Sequence, residues 1–317
     1  MYLKHKFIRV NGFHHHLSPL ILSGSLIAAG VAFNKAYDLA TKIIDQAPDD
    51  GMHEDEFFQL IVSQLESEQK TRYISLKLTR RYLTSEKSRS PLFIFLGGLA
   101  GKTTIASYIT QQLNMNQPIS IDNEKYGLTL KPSESSQLYK STYESAYLYK
   151  KISQLLTPRL IGLLDRVLFD YKRYKKWCYL WEGIYITAPI ITDLYKKYGQ
   201  THFLSVFIIP ETADLRRSYI LRWQKELGVE RLRKRRNIID KFLRNIEAIR
   251  SHIRSGVDPV ASFVIESPYL EERLEFFYIL LQQKLKDISD KEFPGWVEKI
   301  VDNPKNIKKF KQFLKGA

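Results

Sequence analysis

Apolar residues along this chain follow two different patterns, and the change comes near Pro91. Before it, apolar positions recur with helical spacing over residues 19–29, 34–44 and 54–65. A short apolar run at residues 7–10, followed by Gly12, predicts a strand and a turn. Residues 71–90 are basic and polar, which predicts a connecting helix and loop. The first part of the chain is therefore expected to be small and mostly helical.

After Pro91, short apolar runs without alternation are separated by longer segments with helical spacing. Such runs indicate strands of a parallel sheet that helices cover on both faces, which is an α/β fold. The predicted strands are 92–96, 118–121, 178–181, 203–209 and 261–265. The predicted helices are 103–113, 139–156, 157–174, 214–223 and 234–255.

The last segment predicts one more helix, because Asn303 and Pro304 suit a helix cap and first position. Its apolar stripe contains Ile307, Phe310 and Leu314, and lysines surround the stripe, namely Lys305, Lys308, Lys309, Lys311 and Lys315. Two interpretations stay open. The stripe packs on the main body with the lysines in solvent, or the helix docks on a membrane or RNA.

Composition describes a globular protein, with 317 residues, 44% hydrophobic residues and a single cysteine, Cys178. One cysteine excludes an intramolecular disulfide and a site with several thiolates, which suits a reducing cytoplasm. Residues 17–33 carry no charge, but serines, glycines and a proline dilute the segment. It falls short of the roughly 20 apolar residues that a spanning helix needs. We therefore expect a buried helix there and no transmembrane segment.

The net charge of +15 is concentrated in one part of the chain. Lys and Arg are in marked excess over residues 214–254, around a basic run at Arg231, Arg233, Lys234, Arg235 and Arg236. Such a run attracts phosphates of nucleotides, small acids or RNA. It is equally compatible with a solvated helix face. Together with Lys308, Lys309 and Lys311, it is the candidate polyanion-binding surface.

A glycine-rich segment stands where the first strand after Pro91 meets its helix. It reads Gly97-Gly98-Leu-Ala-Gly101-Lys102-Thr103-Thr104. In a P-loop, backbone N–H groups surround the β-phosphate, the Lys reaches the β- and γ-phosphates, and the Ser/Thr hydroxyl ligates Mg²⁺. The P-loop pattern needs four residues between its first Gly and the Gly-Lys-Thr, whereas three follow Gly97 and two follow Gly98. Either this is a shortened nucleotide site or it is a glycine turn that serves packing.

Two carboxylates follow predicted strands, at the edge where open α/β sheets bind ligands. Asp122 comes after the second strand and could act as a base toward a substrate hydroxyl, or position Mg²⁺. It could equally be a helix cap. Glu182 follows the third strand and could orient the substrate or a metal-bound water. The catalytic candidates are therefore Lys102, Asp122 and Glu182.

Several segments together resemble the archaeal 2-phosphoglycerate kinases, P-loop enzymes with an N-terminal ATP-cone-like module. The resemblance covers roughly residues 7–285 and does not rest on any one motif. The segments that carry it are 17–30, 35–40, Ile94-Phe-Leu-Gly-Gly98, Ser120-Ile-Asp122, Tyr143-Glu-Ser-Ala-Tyr147, Glu182-Gly-Ile-Tyr185 and 241–250.

This resemblance implies a P-loop NTPase-like sheet preceded by a small helical module, with ATP, Mg²⁺ and a small phosphorylated hydroxy acid as ligands. It implies an ATP-cone-like module at 1–70, a basic connector at 71–90, a kinase-like domain at 91–286 and a Lys-rich extension at 287–317. Thr103 would ligate the metal, and the glycine segment through Thr104 would bind the nucleotide. Lys125, Glu144 and Arg222 would face the substrate.

The chain departs from the family pattern at both implied nucleotide sites. Its glycine loop lacks two residues. Tyr143 and Tyr185 stand where the kinases have histidines, and a tyrosine does not exchange protons near neutral pH as imidazole does. Ser218 replaces an expected Arg, and Pro19 replaces a basic residue expected in the cone-like module. These departures favour a protein that no longer needs nucleotide chemistry.

Three functions are therefore compatible with the sequence. The favoured one is a non-catalytic descendant that binds a polyanion, such as RNA or the ribosome, through its basic C-terminal half. The alternative is an active ATP-dependent kinase acting on a 2-phosphoglycerate-like acid. The third is a sensor that binds a phosphorylated metabolite without transferring phosphate.

Overall fold

The computed structural model describes residues 6–10, 13–127, 145–230, 236–257 and 262–315. Within these ranges the strands are β1 Phe7–Val10, β2 Phe13–His16, β3 Met52–His53, β4 Leu92–Gly98, β5 Ile119–Ser120, β6 Cys178–Glu182, β7 Phe203–Ile208 and β8 Phe263–Ile265. The α-helices are α1 Pro19–Ala28, α2 Phe33–Asp45, α3 Glu54–Ser63, α4 Ser67–Leu83, α5 Lys102–Gln112, α6 Ala146–Tyr171, α7 Ala188–Tyr198, α8 Thr212–Leu227, α9 Arg236–Val257, α10 Leu270–Glu292, α11 Trp296–Asp302 and α12 Ile307–Lys315. Short 3₁₀ helices cover Ile121–Gly127 and Pro304–Asn306.

Five parallel strands form the central sheet in the order β5-β6-β4-β7-β8. Every residue of the central strand β4 is buried, because helices cover both of its faces. The register aligns Leu96 with Glu182 and Gly98 with Ile208, so the carboxyl ends of these strands lie at one edge. The predicted α/β fold with a covered parallel sheet is confirmed, and the arrangement is consistent with a P-loop-like kinase fold.

Successive side chains of β4 enter two separate hydrophobic cores, as the two-residue period of a strand requires. Ile94 and Leu96 face a core that includes α1–α5 and α10–α12. Phe93 and Phe95 face a second core that includes α6, α7 and α9, where stacked rings of Phe93, Phe95 and Phe203 lie 5.3–6.4 Å apart. The N-terminal helices therefore pack directly on one face of the sheet.

One prediction of secondary structure was wrong in detail, and one small sheet was missed. From residue 145 on, where the structure describes them, the helices expected at 139–156 and 157–174 are a single helix, α6, which continues through Pro158. Leu156, Leu160 and Leu164 are buried in the second core on both sides of the proline, and this packing offsets the hydrogen bond that proline cannot donate. Pairing of β1 with β2 and β3 was also missed, because the polar, exposed His14–His16 run carries no apolar strand pattern.

The C-terminal helix packs on the main body, as the first of the two interpretations predicted. Ile307 and Phe310 are fully buried, and the Phe310 ring lies 5.3 Å from the rings of Phe293 and Trp296. Lys311 pairs with Glu54 of α3 and lies 2.7 Å from Asp55. None of the helices described here is both long enough and apolar enough to cross a membrane.

Candidate functional site

The glycine segment forms a turn of three residues between β4 and α5. β4 ends at Gly98 and α5 begins at Lys102. Gly98 and Gly101 adopt φ values of 105° and 81°, which favour glycine. A Cβ at Gly98 would lie 2.1 Å from the Ile208 carbonyl oxygen, so β7 also excludes any side chain there. The close approach of β4 and β7 therefore fixes the conformation of this turn.

One of the loop's N–H groups is already engaged within the fold. Leu99 N–H donates to the Ile208 carbonyl at 3.0 Å, so it cannot also donate to a phosphate. The start of α5 has no side-chain cap, because its N-cap is Gly101. The first-turn N–H groups at Lys102, Thr103 and Thr104 thus lie at the positive end of the helix dipole. The start of α5 therefore offers N–H groups to an anion beside the turn.

Both predicted carboxylates lie at the same sheet edge as the turn. Glu182 ends β6 and is buried, and its Oε2 accepts a hydrogen bond of 3.2 Å from Thr103 Oγ1. Asp122 lies in the 3₁₀ helix after β5, where its Oδ1 accepts a 2.6 Å bond from Ile184 N–H. A Cβ at Gly183 would lie 2.7 Å from Asp122 Oδ1, so the glycine after Glu182 permits this approach. The fold therefore brings together Lys102, Thr103, Asp122 and Glu182.

Burial controls the charge state of this cluster. It raises the pKa of Asp122 above its usual value, and the negative charge of Glu182 raises it further. The buried ammonium of Lys102 opposes this shift, as do the N–H groups of Ile184 and Tyr185. A carboxylate with a raised pKa beside a lysine is a suitable proton acceptor for a substrate hydroxyl.

These groups fit Mg²⁺ held together with a phosphate. Mg²⁺ usually takes one or two carboxylates and completes its shell with phosphate oxygens and water. Thr103 and Glu182 offer a hydroxyl and a carboxylate 3.2 Å apart beside the helix start. No group of three or more His, Cys, Asp or Glu that could hold a metal ion alone occurs in the described ranges. A metal held by Thr103 and Glu182 would complete its shell with phosphate oxygens and water.

A cavity of about 570 Å³ opens above the turn. Its floor runs from Leu99 to Thr104, and its walls come from α8 and Phe242 of α9. Arg222 lines it and donates to Glu226 at 2.7 Å, so the predicted substrate-facing Arg lies on a helix beside the glycine turn. Ser218, in place of the expected Arg, lines the same cavity. The rings of Tyr219, Trp223 and Phe242 form one wall, with centroids 4.9–5.9 Å apart.

One residue at the turn was missed by sequence reasoning. Arg273, in the first turn of α10, is buried and donates from Nη1 to the Ala100 carbonyl at 3.3 Å and from Nε to the Ser267 carbonyl. Burial lowers its pKa, and Asp214 of α8 opposes that shift. A Cβ at Gly101 would lie 2.2 Å from Nη1. Arg273 has no sequence signal, because it reaches the turn from 173 residues away.

The remaining predicted residues are not all described. Glu144 and Tyr143 lie outside the described residues, as do Arg231, Arg233, Lys234 and Arg235. For Lys125 and Arg236 only the backbone is described. Tyr185, where the resemblance implies a histidine, is fully buried and stacks on Tyr149 at 5.8 Å. Lys308 and Lys309 are exposed.

A second, cation-rich cavity of about 470 Å³ lies in the N-terminal part of the structure, between β1, β2, α1, α3 and α4. Lys77, Arg80 and Arg81 of α4 line it. Arg80 stacks on Trp177 at 5.0 Å, and Arg81 binds Glu54 at 3.1 Å. Burial, together with the positive charges of Arg80 and Arg81, lowers the pKa of Lys77 to about 7. Within the described ranges, Arg81 Nη1 and Trp177 Nε1 are buried donors without an acceptor.

Comparison with known proteins gave one curated relative with a kinase activity. The chain is 32% identical over 172 residues to a 2-phosphoglycerate kinase of the archaeon Methanopyrus kandleri. The match covers 51% of this chain and 51% of that protein, so it spans about half the length of each. No protein-family profile and no solved structure matches the chain. The similarity therefore supports the resemblance to 2-phosphoglycerate kinases for half of the chain.

Proposed function

We propose that the protein is a kinase-like phosphotransferase that binds Mg-ATP at the glycine turn and acts on a small phosphorylated hydroxy acid. The observation that carries the proposal is the convergence of Lys102, Thr103, Asp122 and Glu182 beside the turn and its cavity. The similarity to a 2-phosphoglycerate kinase supports the same reaction class.

Each residue has a distinct role in this proposal. ATP, when bound with Mg²⁺, supplies the phosphoryl group and the counter-charge for its oxygens. Lys102 and the start of α5 would hold phosphate oxygens, while Thr103 and Glu182 would hold the metal. Asp122 would accept the proton of the substrate hydroxyl, and Arg222 would contact the substrate from α8. Arg273 would position the turn through the Ala100 carbonyl without touching the substrate.

The test combines binding with transfer. Titration calorimetry with Mg-ATP measures nucleotide binding, and ³¹P NMR with 2-phosphoglycerate as acceptor measures transfer. Lys102→Ala should abolish both signals, because it removes the cation nearest the phosphates. Lys196→Ala, which removes an exposed lysine of α7, is the matched control and should change neither. Absence of millimolar Mg-ATP binding by the native chain would rule out the proposal.

A second candidate function is non-catalytic binding of a polyanion such as RNA or the ribosome. The short turn favours it, because the Leu99 N–H is already bonded and the loop has lost donors relative to a P-loop. The basic run around Arg233 and the exposed Lys308 and Lys309 would supply the cations. Lys102→Ala should leave such binding nearly unchanged. In a third case the protein is a sensor that holds a phosphorylated metabolite without transferring phosphate. Lys102→Ala should then weaken binding of the metabolite.

We further propose that the chain is organised as the resemblance implies, with an ATP-cone-like module at 1–70, a basic connector at 71–90, a kinase-like domain at 91–286 and an extension at 287–317. The cation-rich cavity lies mainly within the first two segments. Its unpaired donors support an anionic ligand such as a nucleotide, which is the class that a cone module implies.

A further inference from the structure

A basic surface with exposed rings lies at the edge of the sheet opposite the glycine turn. The end of α6 and the residues after it, 166–176, lead into β6, and the segment 84–91 leads into β4. Both segments therefore lie at the amino ends of parallel strands. We define the amino-edge surface by its cations and two rings: Arg166, Lys172, Arg173, Lys176, Lys87, Arg89, Lys309, Phe169 and Tyr174.

Hydrogen bonds and a cation–π contact join the three segments of this surface. Lys175 Nζ donates to the Ser88 carbonyl at 3.0 Å, and Tyr171 donates to the Leu83 carbonyl. Lys87 lies over the Phe313 ring of α12 at 3.8 Å. Lys309 stands four residues before Phe313 and so on the same helix face. The end of α6, the 84–91 segment and α12 thus form one continuous face.

The cations of the amino-edge surface lack acidic partners among the described residues. Arg166, Lys172, Arg173 and Lys176 are exposed, and no ion pair is found for any of them there. Of the nearby acids, Asp165 binds Lys197 at 2.8 Å and Glu86 lies 3.8 Å from Lys175. Asp170 is exposed on the same segment, and the cations outnumber it. An excess of unpaired cations on one face attracts phosphate backbones.

The exposed rings give the surface a second property. Phe169 is 74% exposed and Tyr174 is 54% exposed, although apolar rings are usually buried. The guanidinium of Arg173 lies 5.4 Å from the Tyr174 ring centroid. Cations that hold a backbone beside rings that stack on bases are the combination found in single-strand binding proteins. A duplex hides its bases and would engage only the cations.

We infer that the amino-edge surface binds single-stranded nucleic acid, with its cations on the phosphates and with Phe169 and Tyr174 stacked on bases. The surface differs from the basic run at 231–236 and lies away from the glycine turn. The inference gives a location to the polyanion-binding candidate function and does not depend on phosphotransfer. Nucleic acid bound here leaves the cavity above the turn open.

Fluorescence anisotropy with a labelled oligo-uridine RNA tests this inference in the full chain. Phe169→Ala and Tyr174→Ala should each weaken binding about tenfold, because each loses one stacked base. Phe169→Trp should restore binding, and Phe169→Leu should not, since leucine is apolar but has no π face. Lys172→Glu with Arg173→Glu should weaken binding further and reduce the salt slope by about 1.4, from two lost phosphate contacts. An RNA duplex of the same length should show no effect of the ring substitutions.

Matched controls on α2 keep the test specific. Lys35→Glu with Lys42→Glu makes the same change in charge, and Tyr37→Ala removes another exposed ring. Neither control should change RNA binding. If RNA binds but only substitutions at 231–236 weaken it, the amino-edge inference is wrong and the candidate function survives. If the native chain binds no RNA, both fail, while Mg-ATP binding tests the proposed kinase function separately.

Discussion

At the scale of single residues, Asp122 shows how position and burial together define a candidate base. The sequence alone left it equally compatible with a helix cap. In the structure its Oδ1 accepts a bond from the Ile184 N–H, and its neighbours are Lys102 and Glu182. The bond to Ile184 is not that of a helix cap, because a cap would bond the first turn of its own helix. The environment is therefore compatible with the role that we propose for Asp122.

Replacing Asp122 with Asn should lower phosphoryl transfer about 10²- to 10⁴-fold while Mg-ATP binding changes little, because the amide cannot accept the proton. The raised pKa of Asp122 also fixes the sign of the pH dependence. Activity is lost as pH falls through that pKa, so the acidic limb should lie above the range of an ordinary aspartate. Rates measured between pH 4 and 8 check this.

The control for this substitution is Glu124→Gln in the same 3₁₀ helix. Glu124 pairs with Arg159 at 2.7 Å and belongs to no part of the cluster. Its pH profile should match that of the native chain. An acidic limb that persists unchanged in Asp122→Asn would show that another group titrates.

A second prediction at the residue scale concerns the effect of Lys77 on the free energy of unfolding. Its folded pKa of about 7 lies below the ordinary lysine value of 10.5, so the unfolded chain binds the proton more tightly. The cost in folding free energy of burying the charged Lys77 is complete below pH 7 and disappears as pH rises toward 10.5. Lys77→Met should therefore raise the free energy of unfolding by roughly 1–3 kcal/mol at pH 6, with the gain shrinking at higher pH.

Denaturant titrations at several pH values measure this difference. Arg80 and Arg81 share the helix of Lys77, while Glu54 of α3 and His15 and His16 of β2 line the same cavity. Lys42→Met, at an exposed site on α2, should show no comparable trend. A gain in unfolding free energy that does not vary with pH would contradict its assignment to the buried charge of Lys77.

At the scale of elements, the link between β4 and α5 is fixed by a strand that lies far away in sequence. Leu99 bonds to Ile208 of β7, and Gly98 packs against the same residue's backbone. Gly98→Ala should therefore destabilise the protein by several kcal/mol, since the backbone must move to admit a Cβ. Thermal unfolding of the variant measures this loss.

Gly162 provides the matched substitution. It lies inside α6, and a Cβ there would meet no atom within 4 Å. Gly162→Ala should stabilise the helix by roughly 0.5–1 kcal/mol, because alanine has the higher helix propensity. If both glycines tolerated alanine equally, the conclusion that β7 excludes a side chain at Gly98 would be wrong.

At the scale of the whole molecule, one core joins the beginning and end of the chain to the sheet. Leu26 of α1, Ile94 of β4 and Phe310 of α12 belong to the same cluster of buried side chains. Helix α4, which overlaps the connector expected at 71–90, is buried in it as well, with Ile74 and Leu78 fully enclosed. Segments at both ends therefore contribute to the stability of the sheet.

Phe310→Ala should cost roughly 3–5 kcal/mol of unfolding free energy, because it leaves a cavity among Phe293, Trp296 and Phe313. The loss should appear in one cooperative transition that includes the sheet. Lys308→Ala on the same helix is exposed and should have little effect. Two separate transitions in the variant would show that α12 does not share the core.

The amino-acid sequence determined the fold class and the order of most elements, because local periodicity encodes which faces are buried. It also located Lys102, Thr103, Asp122 and Glu182 at strand ends, since parallel strands place those ends at one edge. Only the tertiary structure brought Arg273 to the turn, engaged the Leu99 N–H, carried α6 through Pro158 and paired Lys311 with Asp55. Each of these depends on contacts between residues far apart in the chain, which no local pattern specifies.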